Sequence, residues 1–314
     1  MKYFITGGAG FIGSNLSRYL MDMGSVEVTV YDNFCNGKHD FLLPLINNRG
    51  FRIVEGDTLN SVQLMSAMKG HDCVIHLAAN ADIAASARET SLDLKQTVLA
   101  TYNVLEAMRE NAIKDLIFPS GSGVYGDIGE LAPKEDFGPL YPVSMYGATK
   151  LSAEALISAY SSLFEIKARI FRFANVIGPN QTHGVAFDLI KRLMSNPSKL
   201  QVLGDGYQSK SYIHVQDIIN ALILVKQKSL PEQIITFNVG TGDYITVKRI
   251  VEIVIDEMRL SNVEVEFGKT PYGWKGDVPV VRLNDDKLRS LGWSPRYTSE
   301  EAMRLSIRQM LSAW

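Results

Sequence analysis

Cysteine is nearly absent from this chain: Cys35 and Cys73 are the only two in 314 residues. Two thiols so far apart exclude a disulfide framework and a cysteine-rich metal site, and idle thiols are the expectation for both. The five histidines (His39, His71, His76, His183 and His214) show no metal-ligand spacing, so no metal is expected. An excess of one charge is missing too, with 32 Lys and Arg against 34 Asp and Glu and a net charge of −2. Acids and bases are interspersed, which leaves no basic face for nucleic acid. There is no apolar run of about eighteen residues and no charged-then-apolar leader, so no membrane span is expected and the expected location is the cytoplasm. No internal repeat or low-complexity tract is visible. A chain of this length holds one large α/β domain or two lobes.

What is present is concentrated at the start. Tyr3-Phe4-Ile5-Thr6 is a short aromatic and β-branched run that reads as a buried strand. Gly7-Gly8-Ala9-Gly10-Phe11-Ile12-Gly13 follows at once, and apolar positions continue at helical spacing through Leu16 and Leu20. Such a turn aims backbone N–H groups and the positive end of a helix at one point, where a pyrophosphate can sit. Gly7 allows the turn, Gly10 lets a dinucleotide approach the backbone, and Gly13 lets the helix pack on the strand; Phe11 and Ile12 open the helix between them. About twenty residues on, a second apolar strand from Val26 to Tyr31 ends on Asp32, followed by Asn33. An acid there accepts the ribose hydroxyls of NAD and repels the additional phosphate of NADP, while also serving as a strand-end turn former. The cofactor expected is therefore NAD.

Strands continue to alternate with helical patterns at Phe51-Val54, Cys73-Leu77, Leu116-Pro119 and Lys167-Phe173. This alternation predicts an α/β fold: a Rossmann-type, doubly wound parallel sheet with helices on both faces, spanning about residues 1–175. From about 176 to 314 strands are shorter and loops more frequent, which predicts a smaller C-terminal α/β lobe interleaved with the first. Ligands bind beyond the carboxyl ends of parallel strands. The loops expected at that edge are Gly56-Asp57-Thr58, Leu77-Ala78-Ala79-Asn80 and Ser120 to Gly126.

Tyr146 and Lys150 lie in a helical pattern that runs on through Leu151, Ala155 and Ala159. Positions four apart share a helix face, so the lysine ammonium is expected beside the phenol, where it favours the phenolate. A tyrosine with a pKa of about 10 needs such help to act as a base near neutral pH. Ser120 and Ser122 offer hydroxyls at the end of the preceding strand, and they share a face if the extended conformation persists.

In order along the chain stand Thr6-Gly-Gly-Ala-Gly-Phe-Ile-Gly13, Asp32-Asn33-Phe34, Gly56-Asp57, His76-Leu-Ala-Ala79, Val124-Tyr-Gly126, Tyr146-x-x-x-Lys150, Arg172-Phe-Ala-Asn175, Tyr212-Ile-His214, Asn238-Val-Gly240 and Gly276-Asp277. With these motifs the chain resembles the extended short-chain dehydrogenase/reductases acting on nucleotide sugars, most closely the UDP-glucose 4-epimerase-like members. The resemblance implies a 4-epimerase acting through a transient 4-keto sugar, with Tyr146 as base, Lys150 holding the nicotinamide ribose and NAD as hydride carrier. It places Asp57 and Thr58 at the adenine, Leu77, Ala78 and Ala79 on the pyrophosphate side, and Phe173 at the nicotinamide. It makes the 176–314 lobe the nucleotide-sugar lobe, with Asn175 at the diphosphate and Asn80, Lys210, Trp274 and Asp277 as further substrate contacts; a UDP-sugar is the expected partner. It also implies a homodimer, paired through the helices of Thr97-Arg109 and of Tyr146.

Three departures from the family pattern matter. Gly121 stands where relatives carry a catalytic Ser or Thr, so the hydroxyl is assigned to Ser122, with Ser120 in reserve. Ser122 and Gly123 occupy the places of the Asp-Glu pair that serves the 4,6-dehydratases, which argues against dehydration. Lys210 and Trp274 replace two arginines of the diphosphate clamp. Lysine brings charge without the bidentate fork, and Trp274 either stacks on a base or packs within its lobe. A nucleotide-sugar decarboxylase, a keto-sugar reductase and a non-catalytic NAD-binding protein are the alternative readings.

Overall fold

The computed structural model describes residues 1–80 and 85–312. It divides into two compact units, each built from separated stretches of chain. The first comprises Met1–Gly121, Met145–Arg172 and Leu222–Phe237, and the second Ser122–Ser144, Phe173–Ala221 and Asn238–Trp314.

The first unit is organised on a seven-stranded sheet. In chain order its strands are β1 (Lys2–Thr6), β2 (Glu27–Asp32), β3 (Phe51–Glu55), β4 (Cys73–His76), β5 (Asp115–Gly121), β6 (Lys167–Phe173) and the strand Ile234–Val239. In space the order is Ile234–Val239, β6, β5, β4, β1, β2, β3. β3, β2, β1, β4 and β5 pair in parallel, with Tyr3 opposite both Val28 and Cys73. The interior strands β1, β2, β4, β5 and β6 are buried along nearly their whole length, as continuous apolar runs covered on both faces must be. β3, on the sheet edge, is only half-buried. That is why the central runs are legible as strands and β3 is mixed in character.

The helices of this unit are α1 (Phe11–Met23), α2 (Ser61–Met68), α3 (Ser91–Asp93), α4 (Ala100–Glu110) and α5 (Met145–Phe164), with a π-helical turn at Leu94–Leu99 between α3 and α4. Phe4, Tyr31, Leu64, Val104, Phe118 and Ile157 anchor a core between the sheet and α2, α4 and α5. Each such side chain stabilises the fold by roughly 1.5–3 kcal/mol through burial. That core fixes α5 against β5, and with it the side chains that α5 carries.

The second unit has its own core, where Leu189, Leu200, Ile250, Val254, Met303 and Ile307 pack three helices (Val185–Ser195, Val247–Glu257, Ser299–Ser312) on a parallel pair of strands. A three-stranded sheet orders Ile245–Thr246, Ser209–Lys210 and Val280–Val281, which fixes Lys210 between Ile245 and Val281. No helix among the described residues is long and apolar enough to cross a membrane.

Candidate active site

The glycine turn between β1 and α1 is built as an anion cradle. Gly7 has φ +67°, and a Cβ there would stand 2.7 Å from the Ala78 nitrogen. A Cβ at Gly13 would run into the carbonyl oxygen of Gly7, so the helix packs this closely only with glycine. At Gly10 a Cβ would meet only the Gly7 oxygen, at 3.3 Å, and the backbone is otherwise open. Asn60 caps α2 with its side chain, and Thr246 caps the helix Val247–Glu257 likewise. Gly10 gives α1 no side-chain cap, and its first turn carries no acid. The positive end of α1 is thus left for an external anion.

Asp32 closes the cradle. Its carboxylate accepts from the Ala9 and Phe34 backbone N–H groups, both at 2.9 Å. Burial pulls its pKa upward against those two bonds, which favour the charged form. One side chain therefore ties the glycine turn to the end of β2. Next to it Asn33 donates to Asp57 at 3.1 Å, and Asp57 in turn accepts from the Leu59 N–H. The Thr58 carbonyl is held by Asn103. Leu77 and Ala78 are held to the first strand by bonds to the Thr6 carbonyl and hydroxyl, and Ala79 follows in the same loop. These residues fit a dinucleotide: an uncapped helix start, a side-chain-free turn and an acid at the end of β2.

Tyr146 and Lys150 project from the first turns of α5, with the Lys150 nitrogen 5.8 Å from the phenol ring centroid. Lys150 donates to the Pro119 carbonyl at 2.9 Å and lies 4.8 Å over the Phe118 ring, which binds α5 to β5 at the ammonium itself. Electrostatics depart from the sequence expectation. Burial pushes the Tyr146 phenol up to about 12, and the Asp93 charge acts in the same direction. Both effects favour the protonated phenol in the protein alone. Burial likewise pulls Lys150 down to about 8, against the charges of Glu154 and Asp93.

The strand end also differs. β5 stops at Gly121, and Ser122–Tyr125 turns into a 3₁₀ helix. The extended alternation that put Ser120 and Ser122 on one face therefore ends between them. Ser120 is buried, and its Oγ has no hydrogen-bond partner among the described residues. A Cβ at Gly121 would meet only Tyr146, at 3.6 Å from Cε1 and 3.7 Å from the hydroxyl, which is ordinary contact distance. Gly121 thus leaves room for a side chain beside the phenol.

Asn80, expected at the substrate, is buried, and its amide donates to Ser86 at 3.2 Å and to Asp93 at 2.9 Å. Asp93 was not found from sequence, since nothing local marks it. The same is true of the buried pair between Arg172 and Glu154, 2.7 Å apart one helical turn beyond Lys150. His76, from the His-Leu-Ala-Ala motif, is buried between the Thr6 and Thr101 hydroxyls, and burial lowers its pKa to about 3, so it is neutral.

In the second unit Lys210 pairs with Asp277 at 2.7 Å, and Asp277 also accepts from the Gly273 N–H. The Asn175 amide donates to the Ser211 carbonyl. The Trp274 ring edge lies 3.5 Å from where a Cβ of Gly276 would stand, so the indole packs along that turn. Phe173 is buried. Arg282, which sequence reasoning passed over, donates to the Ser209 carbonyl at 2.8 Å and stacks 3.8 Å from the Tyr244 ring. No group of three or more His, Cys, Asp or Glu side chains placed to hold a metal occurs among the described residues.

The parallel sheet, the uncapped glycine turn and the acid at the end of β2 define a dinucleotide-binding α/β protein. Residues 3–240 match the model of the NAD dependent epimerase/dehydratase family, and the chain belongs to that family, with NAD as its cofactor. It is 30% identical over 311 residues to a putative UDP-glucose 4-epimerase of Methanocaldococcus jannaschii, covering 98% of this chain and 97% of that one. A crystal structure of a UDP-galactose 4-epimerase superposes with a TM-score of 0.89 at 33% identity, each chain covered in full. The Thermus thermophilus UDP-glucose 4-epimerase in complex with NAD superposes with a TM-score of 0.88 at 29% identity, again with both chains fully covered.

Proposed function

We propose that this chain is a nucleotide-sugar 4-epimerase that inverts C4 of a UDP-sugar through a transient 4-keto intermediate. The observation that carries this reading is the placement of Tyr146 and Lys150 on α5, with open space at Gly121 beside the phenol. NAD, held by the glycine turn, Asp32, Asn33, Asp57, Thr58, Leu77, Ala78, Ala79 and Phe173, supplies the hydride acceptor and a positively charged ring. Tyr146 takes the proton of the C4 hydroxyl and returns it. Lys150 holds the nicotinamide ribose and adds a positive charge on the same helix face. Asn175 contacts the nucleotide diphosphate and Lys210 adds its charge there, while Trp274 and Asp277, the latter paired with Lys210, are further substrate contacts.

The hydroxyl that relatives carry at position 121 comes, in this reading, from Ser120, whose buried Oγ is unpaired among the described residues; Ser122, in the 3₁₀ turn, is the alternative. Ser120→Ala should lower kcat by about 10²-fold, as expected for a hydrogen-bond donor aimed at a reacting oxygen. Gly121→Ser in that background should restore most of the loss, because the added side chain meets only Tyr146. A larger loss in Ser122→Ala than in Ser120→Ala would reassign the role.

The reading extends to a homodimer. Leu94, Leu99, Tyr102 and Leu163 leave large apolar surface exposed on the π turn, α4 and α5, and a second copy of the same face is the simplest cover. Sedimentation equilibrium should give twice the chain mass, and a single-chain mass would remove the extension.

Purified protein supplied with NAD and a panel of UDP-, dTDP-, GDP- and CDP-sugars, followed by proton NMR, tests the reading as a whole. A mixture of C4 epimers without net NADH is expected. A pentose product would make the chain a decarboxylase, and in a parallel assay with NADH and a 4-keto sugar, stoichiometric consumption of NADH would make it a reductase.

A further inference from the structure

Asp93 is fully buried in the first unit, at the point where α3 gives way to the π-helical turn. Its Oδ1 accepts one bond, from Asn80 at 2.9 Å, and its Oδ2 has no partner among the described residues. A buried carboxylate normally has both oxygens satisfied, because stripping an ion of water is costly. π turns interrupt α-helices rarely and often at functional sites. This one packs against α5, the helix of Tyr146 and Lys150.

The other charges around that pair are already committed. Glu154, on α5 itself, is held by Arg172 of β6. His76 of β4 is neutral, with both ring nitrogens bonded to threonine hydroxyls. From β5 the pair meets the Phe118 ring and the Pro119 carbonyl. A charge on Asp93 raises the pKa of the Tyr146 phenol, and with that of Glu154 it supports the Lys150 ammonium against burial.

We propose that Asp93 is a positioning residue for the reaction: a fixed, buried negative charge that acts through Tyr146 and Lys150 and sets the pH at which the pair works. The proposal rests on the epimerase reading only for the identity of the reaction. A negative charge stabilises the Lys150 ammonium and opposes the Tyr146 phenolate. It keeps the lysine charged despite burial, and it raises the pH at which the phenol ionises.

The test uses the NAD-loaded protein with tyrosine carbon-13 labelled at Cζ, the Tyr146 signal being assigned by its loss in Tyr146→Phe. In Asp93→Asn and in the smaller Asp93→Ser, the ionisation midpoint of Tyr146 should move to lower pH by roughly one unit. The pH profile of kcat/KM should move with it. Asp93→Glu, which restores the charge, should keep both near the wild-type position. An unmoved midpoint in a folded neutral variant overturns the proposal, as does a fall in rate without displacement of the profile. Failure of both neutral variants to fold, seen by circular dichroism, would assign Asp93 to the scaffold and overturn it as well. A displaced midpoint in protein that turns over no nucleotide sugar keeps the positioning role and removes the epimerase reading. Turnover with an unmoved midpoint does the reverse.

Discussion

Tyr146→Phe should lower turnover by about 10²–10⁴-fold, the range supplied by a positioned proton-transfer group, while NAD and nucleotide-sugar binding persist. The phenol oxygen is the only atom removed. The ring remains with its edge toward Gly121, and Lys150 keeps its bond to the Pro119 carbonyl at 2.9 Å. Binding measured by calorimetry and rates measured on the preferred sugar separate the two effects. A near-normal rate in this variant would remove Tyr146 as the base, and lost NAD binding would show that the hydroxyl builds the site instead.

The second large effect is on stability. Arg172 approaches Glu154 through Nε at 3.1 Å and a terminal nitrogen at 2.7 Å, with side-chain exposures of 7% and 8%. Removing one member of a buried, hydrogen-bonded pair strands a charge in the interior and costs about 3–5 kcal/mol. Arg172→Leu should therefore destabilise the first unit by about that amount in urea unfolding. The double variant Arg172→Leu/Glu154→Leu should recover much of it, since two apolar side chains replace two desolvated ions. A single variant as stable as the wild type would show that water reaches Glu154 and screens it.

The parts of this site readable from sequence are those made by neighbours in the chain. Gly7, Gly10 and Gly13 serve one turn, Asp32 ends the next strand, and Tyr146 and Lys150 are one helical turn apart. Each pattern carries its geometry with it, and the same holds for the buried interior strands. The parts that were not readable depend on register between distant segments. Asp93 matters because the π turn packs against α5, and Arg172 because β6 brings it to Glu154 across 18 residues. The bond from the Asn80 amide to Asp93 likewise joins two segments that are 13 residues apart in the chain. For Ser120 and Ser122 the shared face depended on an extended backbone, which ends where the 3₁₀ turn begins at Ser122. Chain spacing reports the charge beside the phenol and not how far water is excluded from it.

The most direct test of transient oxidation at C4 is the fate of the hydrogen on that carbon. A UDP-sugar carrying deuterium at C4 is incubated with the NAD-loaded protein in ordinary water until the epimers equilibrate. The account predicts deuterium retained at C4 in both epimers, because hydride leaves and returns within one turnover without meeting solvent. Loss of the label to water during epimerisation, or label retained with C4 never inverted, would contradict it.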